Sequence, residues 1–276
     1  MSKLPEPISR KDTLLHNIAD GTPDITDLIP ISREETLLHN IADGTPDITD
    51  LIPISREEVY LKYIAENGTS GNYDESFKGI IERTATNVDL PNGLTTLGDY
   101  VFYKYSNLQY INIPSSVTTI GTRAFYACSS LALTSLPGGI TSIGEYAFDS
   151  CSSLALTSLP GGITSIGKYT FNNCSSLALT SLPGGITSIG SHAFWACYLL
   201  DLTSLPGGIT SIDDHAFSEC KALKNITFQG TPNSISSTTF TGCTNLTVIR
   251  VPWAEGEVAG SPFGASNATI VYNYTE

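Results

Sequence analysis

From Leu90 to Arg250 the chain repeats every 23 residues, seven times, without insertion or deletion. The first units are LPNGLTTLGDYVFYKYSNLQYIN (90–112), IPSSVTTIGTRAFYACSSLALTS (113–135), LPGGITSIGEYAFDSCSSLALTS (136–158) and LPGGITSIGKYTFNNCSSLALTS (159–181). LPGGITSIGSHAFWACYLLDLTS (182–204), LPGGITSIDDHAFSECKALKNIT (205–227) and FQGTPNSISSTTFTGCTNLTVIR (228–250) follow. So strict a period allows few folds. One unit cannot bury its own apolar face, whereas stacked units bury a continuous core. Phe102, Phe125, Phe148, Phe171, Phe194, Phe217 and Phe240 share one slot. Leu97 and the isoleucines 120, 143, 166, 189, 212 and 235 share another. If each unit is one coil, equal slots stack at the strand spacing of about 4.8 Å and form apolar ladders. Pro-Gly-Gly, as in Pro137–Gly139, reads as the corner that needs backbone freedom.

Cysteine follows the same arithmetic. Cys128, Cys151, Cys174, Cys197, Cys220 and Cys243 fall in one slot, and Tyr105 fills it in the first unit. A disulfide framework uses irregular spacings and a zinc site uses close pairs, so neither pattern is present. The reading is a column of small buried thiols, with bridges between adjacent coils as the alternative.

A second array with the same period precedes the first. ISRKDTLLHNIADGTPDITDLIP (8–30) is followed by ISREETLLHNIADGTPDITDLIP (31–53) and a truncated ISREEVYLKYIAENG (54–68). Each reads as a short helix, with Ser9, Ser32 and Ser55 as N-caps and Asp12, Glu35 and Glu58 completing capping boxes. Leu14, Leu15 and Ile18 line one face, which must pack on the neighbouring unit or on another protein, since so short a helix is marginal alone. Residues 69–89 read as an N-terminal cap: a loop, a helix over SFKGIIER and a first strand in TATNVDL. Residues 251–276 read as the C-terminal cap, with Pro252, Trp253, Pro262 and Phe263 over the last coil and a closing strand in ATIVYNY.

Charge separates these parts. The net charge is −13, and residues 1–89, with 17 acidic and 8 basic residues, carry −9 of it. That argues against nucleic acid, which needs clustered Lys and Arg. No apolar run reaches the length of a membrane span, and the N-terminus shows no secretory signal, so the expectation is a chain neither exported by the general route nor membrane-anchored.

Near-identical units make their differences informative. Units 136–158 and 159–181 differ only at EYAFDS against KYTFNN, and change gathers in the slots flanking Ala-Phe. Those slots hold Tyr103, Tyr126, Tyr146, Asp149, Tyr169, Asn172, His192, Trp195 and His215. Drift on a tolerant surface is one reading. The other is a ligand-binding face, because Tyr, Trp and His mixed with Asn, Asp and Ser is the composition of recognition surfaces. Leu133, Leu156, Leu179 and Leu202 stand one position earlier than strand alternation expects. Either a bulge turns them inward or they form an exposed stripe and an interface. No Ser-His-Asp constellation, metal-ligand set or phosphate loop is visible, so no enzyme, cofactor or metal is expected. His192 and His215 repeat one slot near Asp213, Asp214 and Glu219, which reads as duplication rather than a metal site.

The pattern L-P-x-x-[IV]-T-x-I-G-x-x-A-F-x-x-C-x-x-L over residues 90–250 resembles the BspA-like leucine-rich repeats. Two units depart from it, with Asp213 and Ser236 in place of the glycine. The resemblance implies an α/β-type repeat architecture: a right-handed leucine-rich-repeat solenoid with a parallel sheet, here preceded by short capped helices. It also implies adhesion or protein recognition rather than catalysis. PEPISR, residues 54–68 and VPWAEGEVAGSPFGASNATIVYNYTE resemble segments of tail-fibre and structural proteins from phages and prophages of Firmicutes. That resemblance implies a virion protein made in the bacterial cytoplasm and released by lysis. It would be held to other virion proteins through its N-terminal segment, form trimers as such fibres commonly do, and bind a host-surface protein or glycan. A bacterial cell-surface adhesin is the alternative.

Overall fold

The computed structural model describes residues 83–90 and 92–275, and the expected helices of residues 1–82, with Leu14, Leu15 and Ile18, lie outside them. We number the repeats coils 1–7 in chain order. Coils are joined by parallel ladders, and among the described residues there is no helix.

One side carries a row of strands built from the two residues before the Gly slot. Its strands are β2 (Thr96–Leu97), β4 (Thr119–Ile120), β5 (Ser142–Ile143), β6 (Ser165–Ile166), β7 (Ser188–Ile189), β9 (Ser211–Ile212) and β11 (Ser234–Ile235). They pair in two sheets, β2–β4–β5 and β6–β7–β9–β11. Thr119 pairs with Thr96 and Ser211 with Ser188, so the register advances by one repeat per coil. A second ladder exists only near the two ends. There β1 (Asn87–Asp89) pairs with β3 (Tyr110–Asn112), and β8 (Ser204–Leu205), β10 (Asn225–Phe228), β12 (Val248–Arg250) and β13 (Thr269–Val271) pair in series. The closing strand expected in ATIVYNY is β13.

The core is the set of ladders that the period requires. Successive Phe rings from Phe102 to Phe240 lie 5.2–5.6 Å apart, with planes within 13° of each other. All seven are buried. The six cysteines are free and buried, so the bridged alternative does not occur. Each thiol donates to the carbonyl of a Phe in the preceding coil, as Cys151 Sγ does to Phe125 at 3.0 Å and Cys243 Sγ to Phe217 at 3.0 Å. Burial pushes the Cys128 and Cys243 thiols up to about 12, so they remain protonated donors. At the C-terminal end Trp253 and Phe263 are buried and Trp253 packs edge-on to Phe228 at 5.2 Å. Pro252 and Pro262, expected to pack there too, are exposed.

The interface reading of Leu133, Leu156, Leu179 and Leu202 is corrected here: all four are buried. In coil 1 two exposed residues, Gln109 and Tyr110, separate the inward Leu108 and Ile111. In coil 2 only Ala132 separates the inward Leu131 and Leu133, and the extra residue is taken up by exposed Thr134 and Ser135. The shift costs regular pairing. Ala155 N–H reaches Leu133 C=O at 2.9 Å, across 22 residues instead of 23, and coils 2–4 form no strand on that side. Between β3 and the stretch Ala132–Pro137 this leaves an open groove of about 380 Å³.

The Pro-Gly-Gly corner forms, but not through left-handed glycines. Gly138 and Gly139 are not left-handed, and the turn is closed by Ile140 N–H donating to Pro137 C=O at 3.2 Å. The left-handed residues lie elsewhere, and they build the candidate site.

Candidate recognition face

Each of coils 1–6 has two non-glycine residues with φ between 54° and 62°, four positions apart on either side of the buried Phe. Tyr100, Arg123, Tyr146, Tyr169, His192 and His215 occupy the first position, and Lys104, Ala127, Ser150, Asn173, Ala196 and Glu219 the second. A turn repeated at one slot stacks its side chains from coil to coil. Tyr146 and Tyr169 stack at 4.8 Å, Tyr169 and His192 at 4.6 Å, and His192 and His215 follow at 5.0 Å with a 42° tilt. Arg123 extends the column towards the N-terminus. Its guanidinium lies 4.3 Å from the Tyr146 ring centroid and donates to the Tyr100 hydroxyl at 2.7 Å. Six consecutive coils thus share one half-buried π column. Tyr100 and Arg123 stand in the variable slots but outside the expected ligand-binding set, and Arg123 counts as a rung only once its neighbours are seen on both sides.

Beside it runs a second column in the slot after Phe. Tyr103 and Tyr126 stack at 4.9 Å, and Tyr103 also sits 5.6 Å from Tyr100. Trp195 is half-buried, and among the described residues no ring stacks on it. In the same coil Tyr198 and Leu199, where coils 3 and 4 have Ser-Ser, are 43% and 55% exposed.

Asp149 and Asn172 belong to the same slot but not to the surface, which corrects their reading as exposed ligand-binding residues. They are 5% and 7% exposed. Their side chains are too short to reach past the stacked rings and bond to each other instead. Asn172 Nδ2 donates to Asp149 Oδ1 at 2.9 Å, and Ser150 Oγ donates to the same oxygen at 2.9 Å. Burial raises the Asp149 carboxyl above its ordinary range, against the lowering effect of those two bonds and of Arg123. Asn172 Oδ1 is buried without a partner.

Where Asp213 and Ser236 replace glycine, both keep the backbone bond to the preceding coil, to Ile189 C=O and Ile212 C=O at 2.9 Å, and side chains add further bonds between coils. His215 N–H donates to Thr238 Oγ1 at 3.2 Å, and Ser236 Oγ donates to Asp214 Oδ1 at 2.5 Å. His192 Nδ1 lies 2.8 Å from Ser191 Oγ and His215 Nδ1 3.0 Å from Ser218 Oγ. Burial, then the neighbouring His215 and Lys168, lower the His192 pKa, and Asp214 opposes them. Among the described residues no group of three or more His, Cys, Asp or Glu side chains gathers around a common point.

The family profile described as BspA type leucine rich repeat region (6 copies) matches residues 73–201 and 187–269, which is more than half of the chain. The chain belongs to the BspA-type leucine-rich repeat family. Among solved structures it is similar to a leucine-rich cell surface protein of Faecalibacterium prausnitzii, with 24% identity and a TM-score of 0.36 over 66% of this chain and 63% of that one. A leucine-rich repeat protein of Bacteroides ovatus shares 21% identity at a TM-score of 0.44, over 71% of this chain and 63% of that one. A leucine rich repeat protein of T. pallidum shares 26% identity at a TM-score of 0.39, over 61% of this chain and 72% of that one. The chain therefore spans less than two thirds of the length of the first two. No curated protein matches it.

Proposed function

We propose that this BspA-type chain is a non-enzymatic recognition protein whose solenoid presents the paired columns to a surface protein or glycan. The observation that carries the reading is the π column through coils 1–6, held outward by left-handed turns at the very slots where otherwise duplicated units differ. The geometry also says how a ligand would meet it. Rings in the column cover one another's faces, so a partner meets ring edges, hydroxyls and imidazole nitrogens. Trp195 is the rung that offers a ring face, and Trp and Tyr are the side chains that most often dominate interface energies.

In this proposal the protein acts on a virion. The support is the resemblance of residues 5–10, 54–68 and 251–276 to phage and prophage segments, and the N-terminal array would bind other virion proteins in a trimeric fibre. The cell-surface description of the Faecalibacterium prausnitzii protein supports the alternative, a bacterial adhesin. Mass spectrometry of purified particles tests the choice. The virion reading expects the chain in intact particles, whereas its absence there, with release by protease from unlysed cells, supports the adhesin and contradicts the virion.

A further inference from the structure

Seven coils make six joints, and the row of strands from β2 to β11 marks one side of them. At five of them the same two backbone bonds recur, one donated from the Thr slot and one from the Gly slot. Thr141 N–H donates to Thr118 C=O at 2.9 Å and Gly144 N–H to Ile120 C=O at 2.8 Å between coils 2 and 3. Thr187 N–H donates to Thr164 C=O and Gly190 N–H to Ile166 C=O, both at 2.8 Å, between coils 4 and 5. The joint between coils 3 and 4 has neither. Among the described residues, Thr164 and Gly167 N–H donate to no carbonyl of coil 3. The ladder divides there into β2–β4–β5 and β6–β7–β9–β11. On the turn side the same joint is closed: Tyr146 N–H donates to Lys168 C=O at 3.0 Å and Phe148 N–H to Thr170 C=O at 2.9 Å. A joint open on one side and bonded on the other has the geometry of a hinge.

Thr170 accounts for the opening. It stands where coils 2, 3, 5 and 6 have Ala124, Ala147, Ala193 and Ala216, and it is fully buried. Its hydroxyl lies 3.0 Å from Gly167 C=O in its own coil and 3.4 Å from Gly144 C=O in the preceding one. It therefore occupies the space through which the Gly slot closes on the coil before it. A Cβ at Gly121, Gly144 or Gly190 would stand within 2.8 Å of the preceding coil, whereas at Gly167 the nearest atom is Thr170 Oγ1 at 3.3 Å. Thr239 fills the same slot in coil 7 without opening its joint, because its hydroxyl stays within its own coil on Ser236 C=O at 2.9 Å. The buried Asp149–Asn172 bond crosses the open joint as well, and puts a polar pair where Trp195 and Tyr126 stand in flanking coils.

We propose that coils 1–3 and coils 4–7 are two segments hinged at this joint, with the Thr170 hydroxyl holding the ladder side open. Tyr146 and Tyr169 stack across the hinge, so its movement tilts the two halves of the π column against each other. Residue-resolved amide hydrogen exchange on the full chain tests this. In the wild type, Thr164 and Gly167 amides should exchange at least about tenfold faster than those of Thr141, Gly144, Thr187 and Gly190. Thr170→Ala should bring them to within about twofold of their neighbours, and Ala193→Thr should speed exchange at Thr187 and Gly190. Equal protection at all joints in the wild type overturns the hinge. Fast exchange that Thr170→Ala leaves unchanged overturns the role of the hydroxyl and with it the proposal.

Discussion

A left-handed backbone under a side chain costs on the order of 1 kcal/mol, and this solenoid accepts two such residues in each of its first six coils. At Ala127 the side chain returns little for that strain, and in coil 7 the equivalent residue is Gly242, with φ of 77°. Ala127→Gly should therefore raise stability by about 0.5–1 kcal/mol, measured as a higher urea midpoint at unchanged slope. The sequence marked these slots as variable but hid their conformation. Tyr, Arg and Lys are not the residues usually met at positive φ, whereas the Pro-Gly-Gly corner forms where it was expected but without a left-handed glycine. Asp149 carries a pH prediction of definite sign. Its folded pKa is raised, so its contribution to stability is fully present below the ordinary carboxylate pKa and is lost as pH rises through the folded value. Asp149→Asn should remove that component and raise the melting temperature at neutral pH relative to the wild type. A melting curve whose pH dependence does not change in the variant would sink this account of Asp149.

At the scale of the coil, the glycines have unequal duties. A Cβ at Gly144 would lie 2.5 Å from Thr122 N and 2.6 Å from Gly121 C, whereas at Gly138 nothing stands within 4 Å. Gly144→Ala should cost about 1–3 kcal/mol by forcing two coils apart. Gly138→Ala should stay within about 0.5 kcal/mol. Comparable losses in chemical denaturation of the two variants would contradict the close approach. The same scale shows where sequence reasoning runs out. The Phe, Ile and Cys slots were legible because one period generates them all, and their neighbours are copies of themselves. The Leu133 slot was not, because whether a displaced residue faces in or out depends on where the chain absorbs the extra position, and Thr134–Ser135 absorb it after the leucine. Asp149 and Asn172 misled for a related reason: a slot that projects Tyr and Trp outward lets a short side chain fold back and bond within the stack.

For the whole molecule, nearest-neighbour stacking gives both the stability and the face. Each coil contacts chiefly the coils beside it, so stability is close to a sum of joints and the weakest joint decides where the array yields first. The columns inherit their spacing from those joints, so the face is a property of the stack rather than of any coil. Most of this architecture could be read from the period alone, but the partner could not, because a repeat encodes its own neighbours and not the molecule that meets its surface. The most direct test is binding of the full chain to a glycan array and to a panel of intact cells, beside the triple variant Tyr146→Ala, Tyr169→Ala, Trp195→Ala. A circular-dichroism melt of each protein reports on its fold. A recognition face predicts that the wild type binds and the folded variant loses at least about tenfold in affinity, or about 1.4 kcal/mol. Undiminished binding by the folded variant, or no binding by the wild type to any glycan or cell, would contradict it.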